Sequence, residues 1–137
     1  MNQDKPLQGV VAVVTGASRG AGKGIALALG AEGATVYVTG RSQKEGDAAL
    51  PGTVFATAEG VSKAGGKGIA VALDHADDAQ VRRLFERVKQ EQGRLDILVN
   101  NATVIHDTLI EKGGFWEKPL EQVDILDVGL RSAYVAS

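Results

Sequence analysis

Cysteine is absent from the 137 residues, which excludes disulfides, thiolate nucleophiles and cysteine-ligated zinc together and suits a reducing compartment. Proline is scarce, three residues against eighteen glycines, so the chain calls for many tight turns between regular elements rather than a proline-rich or disordered course. Neither sign of charge dominates. With a net charge of -2 and 23% charged residues there is no polyanion-binding balance, and nucleic acid is not an expected partner. Long hydrophobic runs are missing as well: Val10 to Val14 is too short for a signal-peptide core or a membrane span, so a cytoplasmic protein with no membrane partner is expected. The two histidines, His75 and His106, lack carboxylate or thiolate neighbours at ligand spacing; they are expected to be surface imidazoles, with no metal bound. What remains is 44% hydrophobic residues in a length that fits one modest domain and is short for a catalytic α/β enzyme.

The apolar residues are ordered in an alternating pattern. Val10 to Thr15 is a continuous β-branched run ending at glycine, as expected of a strand buried on both faces of a parallel sheet. From Gly22 the period becomes helical, with Ile25, Ala28 and Leu29 on one face and Gly33 as a stop. Thr35 to Thr39 predicts a second strand, Thr53 to Ala64 a helix, and "GIAVAL" a third strand. Val81, Leu84, Phe85 and Val88 then form one apolar stripe of a helix, opened by Asp77 and Gln80 in the form of a capping box. "LDILVNNA" predicts a fourth strand, followed by a polar, partly aromatic loop through Trp116 and a helix from about Pro119. Strict strand–helix alternation implies right-handed crossovers: an α/β, Rossmann-type, doubly wound parallel sheet of about four strands.

The stretch "TGASRGAGKGIA", residues 15–26, sits where the first strand meets the first helix. A glycine-rich turn there aims unpaired N–H groups and the positive end of the helix dipole at one point, and bare backbone lets a pyrophosphate approach it. A tight turn serving packing alone is the other reading. The Walker pattern fails because Lys23 is followed by Gly24 and not by a hydroxyl residue, and G-x-G-x-x-G fails because Ile25 stands at its last position.

What the turn does carry is Thr15-Gly16, three residues, Gly20, one residue, Gly22, which resembles the T-G-x-x-x-G-x-G of the short-chain dehydrogenase/reductase family. "LVNNA", Leu98 to Ala102, is similar to that family's N-N-A-G, with Thr103 in place of the last glycine, and Asp74 stands where the family often has an acid near the adenine. "TGR", "FWE" and "DVGLRSAY" resemble one subgroup within it. The resemblance implies a nicotinamide cofactor bound by Gly16, Ser18, Arg19, Gly20, Gly22, Arg41, Ser42, Asp74, Asn101 and Ala102, and a small carbonyl or alcohol substrate. After the second strand the chain has Gly40-Arg41-Ser42 and no acid, and Arg41 with Arg19 can grip a ribose phosphate, so NADP is expected over NAD. Ser18 can join them or bond only its own backbone; Asp74 and His75 can equally be turn and helix-entry residues. Asn100 and Asn101 can pin adjacent strands, and Phe115 with Trp116 can rim a substrate mouth or anchor a loop.

The resemblance also implies a catalytic serine and a Tyr-x-x-x-Lys pair, and no Tyr-x-x-x-Lys occurs within these residues: Tyr37 is followed at four by Arg41, and Tyr134 lies three residues from Ser137. Gly129 occupies a helix where many relatives carry an asparagine. The expectation is therefore that residues 1–137 are a single dinucleotide-binding domain, the N-terminal portion of a longer NADP(H)-dependent oxidoreductase domain, homo-oligomeric when whole, with no catalytic residues of its own. A nucleotide-binding or interaction module without catalysis is the alternative.

Overall fold

The computed structural model describes residues 5–42, 52–106, 108 and 110–137. Four parallel strands, β1 (Val11–Val14), β2 (Thr35–Gly40), β3 (Lys67–Ala72) and β4 (Ile97–Val99), form one sheet in the order β3-β2-β1-β4. Helices α1 (Gly20–Ala31), α2 (Val54–Ala64) and α3 (Asp78–Gln92) alternate with them, and α4 (Ser132–Ala136) follows. The predicted doubly wound sheet is observed, with its switch point between β1 and β4: β2 and β3 are laid down to one side of β1, and the crossover from β3 then brings β4 to the other.

Alternation along β1 and β2 sorts the core into two layers. Ala12, Val14, Val36 and Val38 face α1 and α2, meeting Ala26, Val54, Ala58 and Val61. Val11, Val13 and Tyr37 face the other side, with Leu73 and with Val81, Leu84 and Val88 of α3. The stripe predicted from the helical period is thus the face that α3 buries.

Helix starts differ in a way that matters for binding. Thr53 caps α2 by accepting from Ala56 N at 3.0 Å, and Asp77 caps α3 by accepting from Ala79 N and Gln80 N at 3.0 and 3.3 Å. The predicted capping box is modified: Gln80 donates to the Asp77 carboxylate at 3.0 Å and accepts from Asp74 N at 2.9 Å, tying the cap to the turn before it. By contrast, no side chain caps α1, and no acid lies in its first turn.

Two elements depart from the sequence reading. β4 holds only three residues, because Asn101 and Ala102 turn away to bond Thr15 instead of continuing the ladder. The helix expected from about Pro119 is broken: Leu120–Ile125 forms 3-10 turns, Val128 and Gly129 leave helical geometry, and a regular helix resumes only at Ser132. Val128 O accepts from Val104 N at 3.0 Å, so the break is held by the loop after β4.

Candidate functional site

Parallel pairing in register brings Val14, Val38 and Val99 level, so the residues after β1, β2 and β4 emerge at one edge of the sheet. That edge, outside the carboxyl ends at a switch point, is where open α/β sheets bind ligands. Thr15 is its hub. Its buried hydroxyl accepts from both Asn101 N and Ala102 N at 2.9 Å and lies 3.3 Å from Val99 O, so one side chain clamps the turn after β1 to the end of β4.

The glycines then divide by role. Gly16 (φ 63°) takes a left-handed conformation, and a Cβ there would lie 2.7 Å from Ala102 Cα. Gly22 is ordinary helix, but its Cβ would collide with Gly16 O and lie 2.5 Å from Asn101 Nδ2, the amide that donates to Gly16 O at 3.0 Å. Gly20 (φ 58°) has no neighbour within 4 Å of its Cβ direction, and neither has Gly24. Two glycines thus bring the turn against β4, while Gly20 faces open space at the uncapped start of α1.

Beside this cradle, Arg19 Nη2 donates to Ser42 Oγ at 2.6 Å, so the turn after β1 meets the segment after β2. Arg19 Nε is buried with no acceptor among the described residues. Ser18 is buried, its oxygen 3.8 Å from where a Cβ on Gly40 would stand. Arg41 is exposed and makes no side-chain hydrogen bond to another described residue. Asp74, two residues past the end of β3, accepts from Ala76 N at 2.9 Å within its own turn. Residues 43–51, the remainder of the connection from β2 to α2, lie outside the described residues.

Both histidines correct the expectation of surface imidazoles. His106 is half-buried and paired with Asp124. His75 is only 5% exposed, with Nε2 2.6 Å from Thr39 Oγ1. Burial pushes its imidazole down to about 4, against the opposing pull of the nearby Asp74 carboxylate. A histidine that titrates near 6.5 when unfolded and near 4 when folded binds fewer protons in the native state. Its contribution is therefore complete above pH 6.5 and is lost as pH falls towards 4. Urea unfolding at pH 7 and pH 4.5 is expected to show the protein losing about 2 kcal/mol more than a His75→Gln variant, which carries no titrating ring. Equal losses would contradict the assignment.

Phe115 and Trp116 pack edge to face on each other, ring centroids 5.2 Å apart, and both are exposed, so the pair anchors nothing in the core. Among the described residues no group of three His, Asp or Glu side chains could hold a metal, and no helix is long and apolar enough to cross a membrane.

Comparison with known proteins identifies this frame. The short chain dehydrogenase family model matches residues 10–125, from β1 through the loop after β4. The chain belongs to the short-chain dehydrogenase family. It is 44% identical over 136 residues to the human protein Dehydrogenase/reductase SDR family member 1, covering 96% of this chain and 41% of that one. It is 36% identical over 132 residues to bovine Hydroxysteroid dehydrogenase-like protein 2, covering 96% and 30% respectively. The first relative is the subgroup that "TGR", "FWE" and "DVGLRSAY" resemble. Among solved structures, a short-chain dehydrogenase from Mycobacterium thermoresistibile superposes with a TM-score of 0.82 at 30% identity, covering 94% of this chain and 44% of that one. A metagenomic short-chain oxidoreductase in complex with NADP superposes at 0.78 with 34% identity, covering 95% and 54%. The chain thus spans less than half the length of the curated relatives it matches.

Within this short-chain dehydrogenase frame, sequence reasoning singled out the glycines and asparagines but missed Thr15, Thr39 and the buried state of His75. Thr15 is the first letter of the family-like string, and that was the only signal available for it. Nothing in a linear sequence separates a buried imidazole from an exposed one.

Proposed function

We propose that this chain binds NADP(H) and forms the dinucleotide half of a longer oxidoreductase domain that acts on a small carbonyl or alcohol. The carrying observation is the uncapped, acid-free N-terminus of α1 beside a glycine that faces open space, when both other long helices supply their own caps. Orphan amides at that end favour a doubly charged diphosphate. Arg19 adds a buried N–H with no acceptor among the described residues, a group whose desolvation a phosphate oxygen would offset. Gly16, Ser18, Gly20 and Gly22 would cradle the diphosphate, Asn101 and Ala102 would line the next part of the cleft, and Asp74 would stand at the adenine. Arg19, Arg41 and Ser42 would take the ribose phosphate. When bound, the nicotinamide supplies the hydride donor or acceptor of the reaction.

The chain's own residues bind and orient the coenzyme. They include no Tyr-x-x-x-Lys pair, so the chain by itself is proposed to bind without turnover. The longer protein is proposed to work as a cytoplasmic homo-oligomer.

Titration of NADPH and NADH against nicotinamide fluorescence tests the reading. NADPH is expected to bind more tightly, and Arg41→Ala to weaken NADPH about tenfold with little change for NADH, the loss of one charge-assisted contact. Discrimination unchanged in that variant would remove Arg41 from the account, and absence of binding to either coenzyme would refute the proposal.

A further inference from the structure

His75 takes no part in the binding roles above, yet it is a buried titratable ring bonded to the end of β2, two residues before Arg41. It lies in the turn between β3 and the Asp77 cap, and its Nε2 meets the fully buried hydroxyl of Thr39 at 2.6 Å. The surroundings on this face of the sheet are apolar side chains, with Leu73, Val81, Leu84 and the ring of Tyr37 in the same layer. Two well-packed apolar side chains could replace such a pair with little loss of stability. What they could not replace is direction, because a hydrogen bond fixes where two segments sit relative to one another and aliphatic contact does so only loosely.

The segments joined here matter. Thr39 is the last residue but one of β2, and its carbonyl accepts from Ala17 N in the glycine turn at 2.9 Å. The next carbonyl, Gly40 O, accepts from Leu73 N at the end of β3 at 3.0 Å. Arg41 and Ser42 follow at once, and Ser42 holds Arg19. Thr39 is therefore the junction of the turn after β1, the arm after β2 and the turn after β3.

We propose that His75 is a positioning residue for coenzyme selectivity: through Thr39 Oγ1 it fixes the end of β2 against the turn after β3, and so sets where Arg41 and Ser42 meet the adenosine ribose. The inference rests on the NADP(H) reading given above. The ring is uncharged at neutral pH, since burial keeps it from protonating, and its role there is geometric and not a direct attraction for phosphate. Loosening the arm after β2 weakens the grip on a ribose phosphate, whereas the glycine turn is held by the main-chain carbonyl of Thr39 and by the bonds between Thr15, Gly16, Asn101 and Ala102, none of which uses the Thr39 hydroxyl or the His75 ring.

Dissociation constants for NADPH and NADH, measured with the thermal midpoint on the unaltered protein, His75→Leu, His75→Gln and Thr39→Val, test this. His75→Leu and Thr39→Val are each expected to lower the NADPH-over-NADH preference about fivefold by weakening NADPH, as loss of one orienting hydrogen bond would. His75→Gln can still bond Thr39 Oγ1 and is expected to keep most of the preference. A preference unchanged in His75→Leu, or equal weakening of both coenzymes with a lowered midpoint, overturns the inference and leaves the NADP(H) reading standing. Should His75→Leu fail to fold, an unchanged preference in Thr39→Val overturns it equally. An unaltered protein that binds both coenzymes alike, or neither, overturns the reading and the inference together.

Discussion

Gly22→Ala is expected to abolish measurable NADPH binding and to destabilise the protein, although alanine is the better helix former. Propensity favours the change by about 1 kcal/mol at an interior helix position. Against it stands a methyl group driven into Gly16 O and to 2.5 Å from Asn101 Nδ2, atoms of a backbone turn and of the side chain that secures it. Neither can give way without opening the contact between the turn after β1 and the end of β4. Overpacking against backbone of this kind costs about 2–4 kcal/mol, so the net loss is expected at about 1–3 kcal/mol. Binding suffers more, because the displaced atoms form the cradle itself; an affinity loss of about 100-fold or more is expected. Gly24→Ala is the control. It lies in the same helix with nothing within 4 Å of its Cβ direction, so propensity acts alone and the variant should gain about 0.5–1 kcal/mol. Urea unfolding and NADPH titration on the two variants check the pair; equal behaviour would mean that the helix does not approach Asn101.

Thr15→Val is the second large effect. Valine matches threonine in shape and suits the end of a strand, so neither propensity nor packing opposes it. The loss is the oxygen that accepts from Asn101 N and Ala102 N, both at 2.9 Å. Two N–H groups at a partly buried junction would lose their acceptor, at a cost of about 1–2 kcal/mol each, so a total of about 2–4 kcal/mol is expected in urea unfolding. NADPH affinity should fall about tenfold as the wall formed by Asn101 and Ala102 comes loose. Thr15→Ser retains the oxygen and loses a methyl group, and is expected to cost about 1 kcal/mol while binding within about twofold of the unaltered protein. A valine variant as stable as the serine one would show that the clamp contributes nothing.

The fold was legible because its signals are local. β-branched runs followed by helical periods place β1, α1, β2, α2, β3 and α3 within a few residues of where they lie, and alternation alone implies the parallel, doubly wound sheet. The short β4 was less so: the segment read as a strand runs to Ala102, but the strand stops at Val99, and the amides of Asn101 and Ala102 donate instead to Thr15, more than eighty residues earlier. The broken helix before α4 has the same character. Gly129 stands inside the span read as helix, and the bond from Val104 N to Val128 O that holds the break joins segments far apart in sequence. In the site, glycine positions were legible, whereas their division into packing roles at Gly16 and Gly22 and an open face at Gly20 depends on where β4 lies. The burial of His75 depends on Thr39 standing opposite it, which strand register decides and composition does not.

Amide chemical shifts followed by 15N-resolved NMR during NADPH titration address the central claim most directly, because the backbone N–H groups at the start of α1 are the atoms said to hold the diphosphate. Saturable shifts are expected on Ser18 to Gly22, with smaller ones at Arg41, Ser42, Asn101 and Ala102. Saturable shifts confined to other surfaces, with Gly20 and Gly22 unmoved, would contradict that claim.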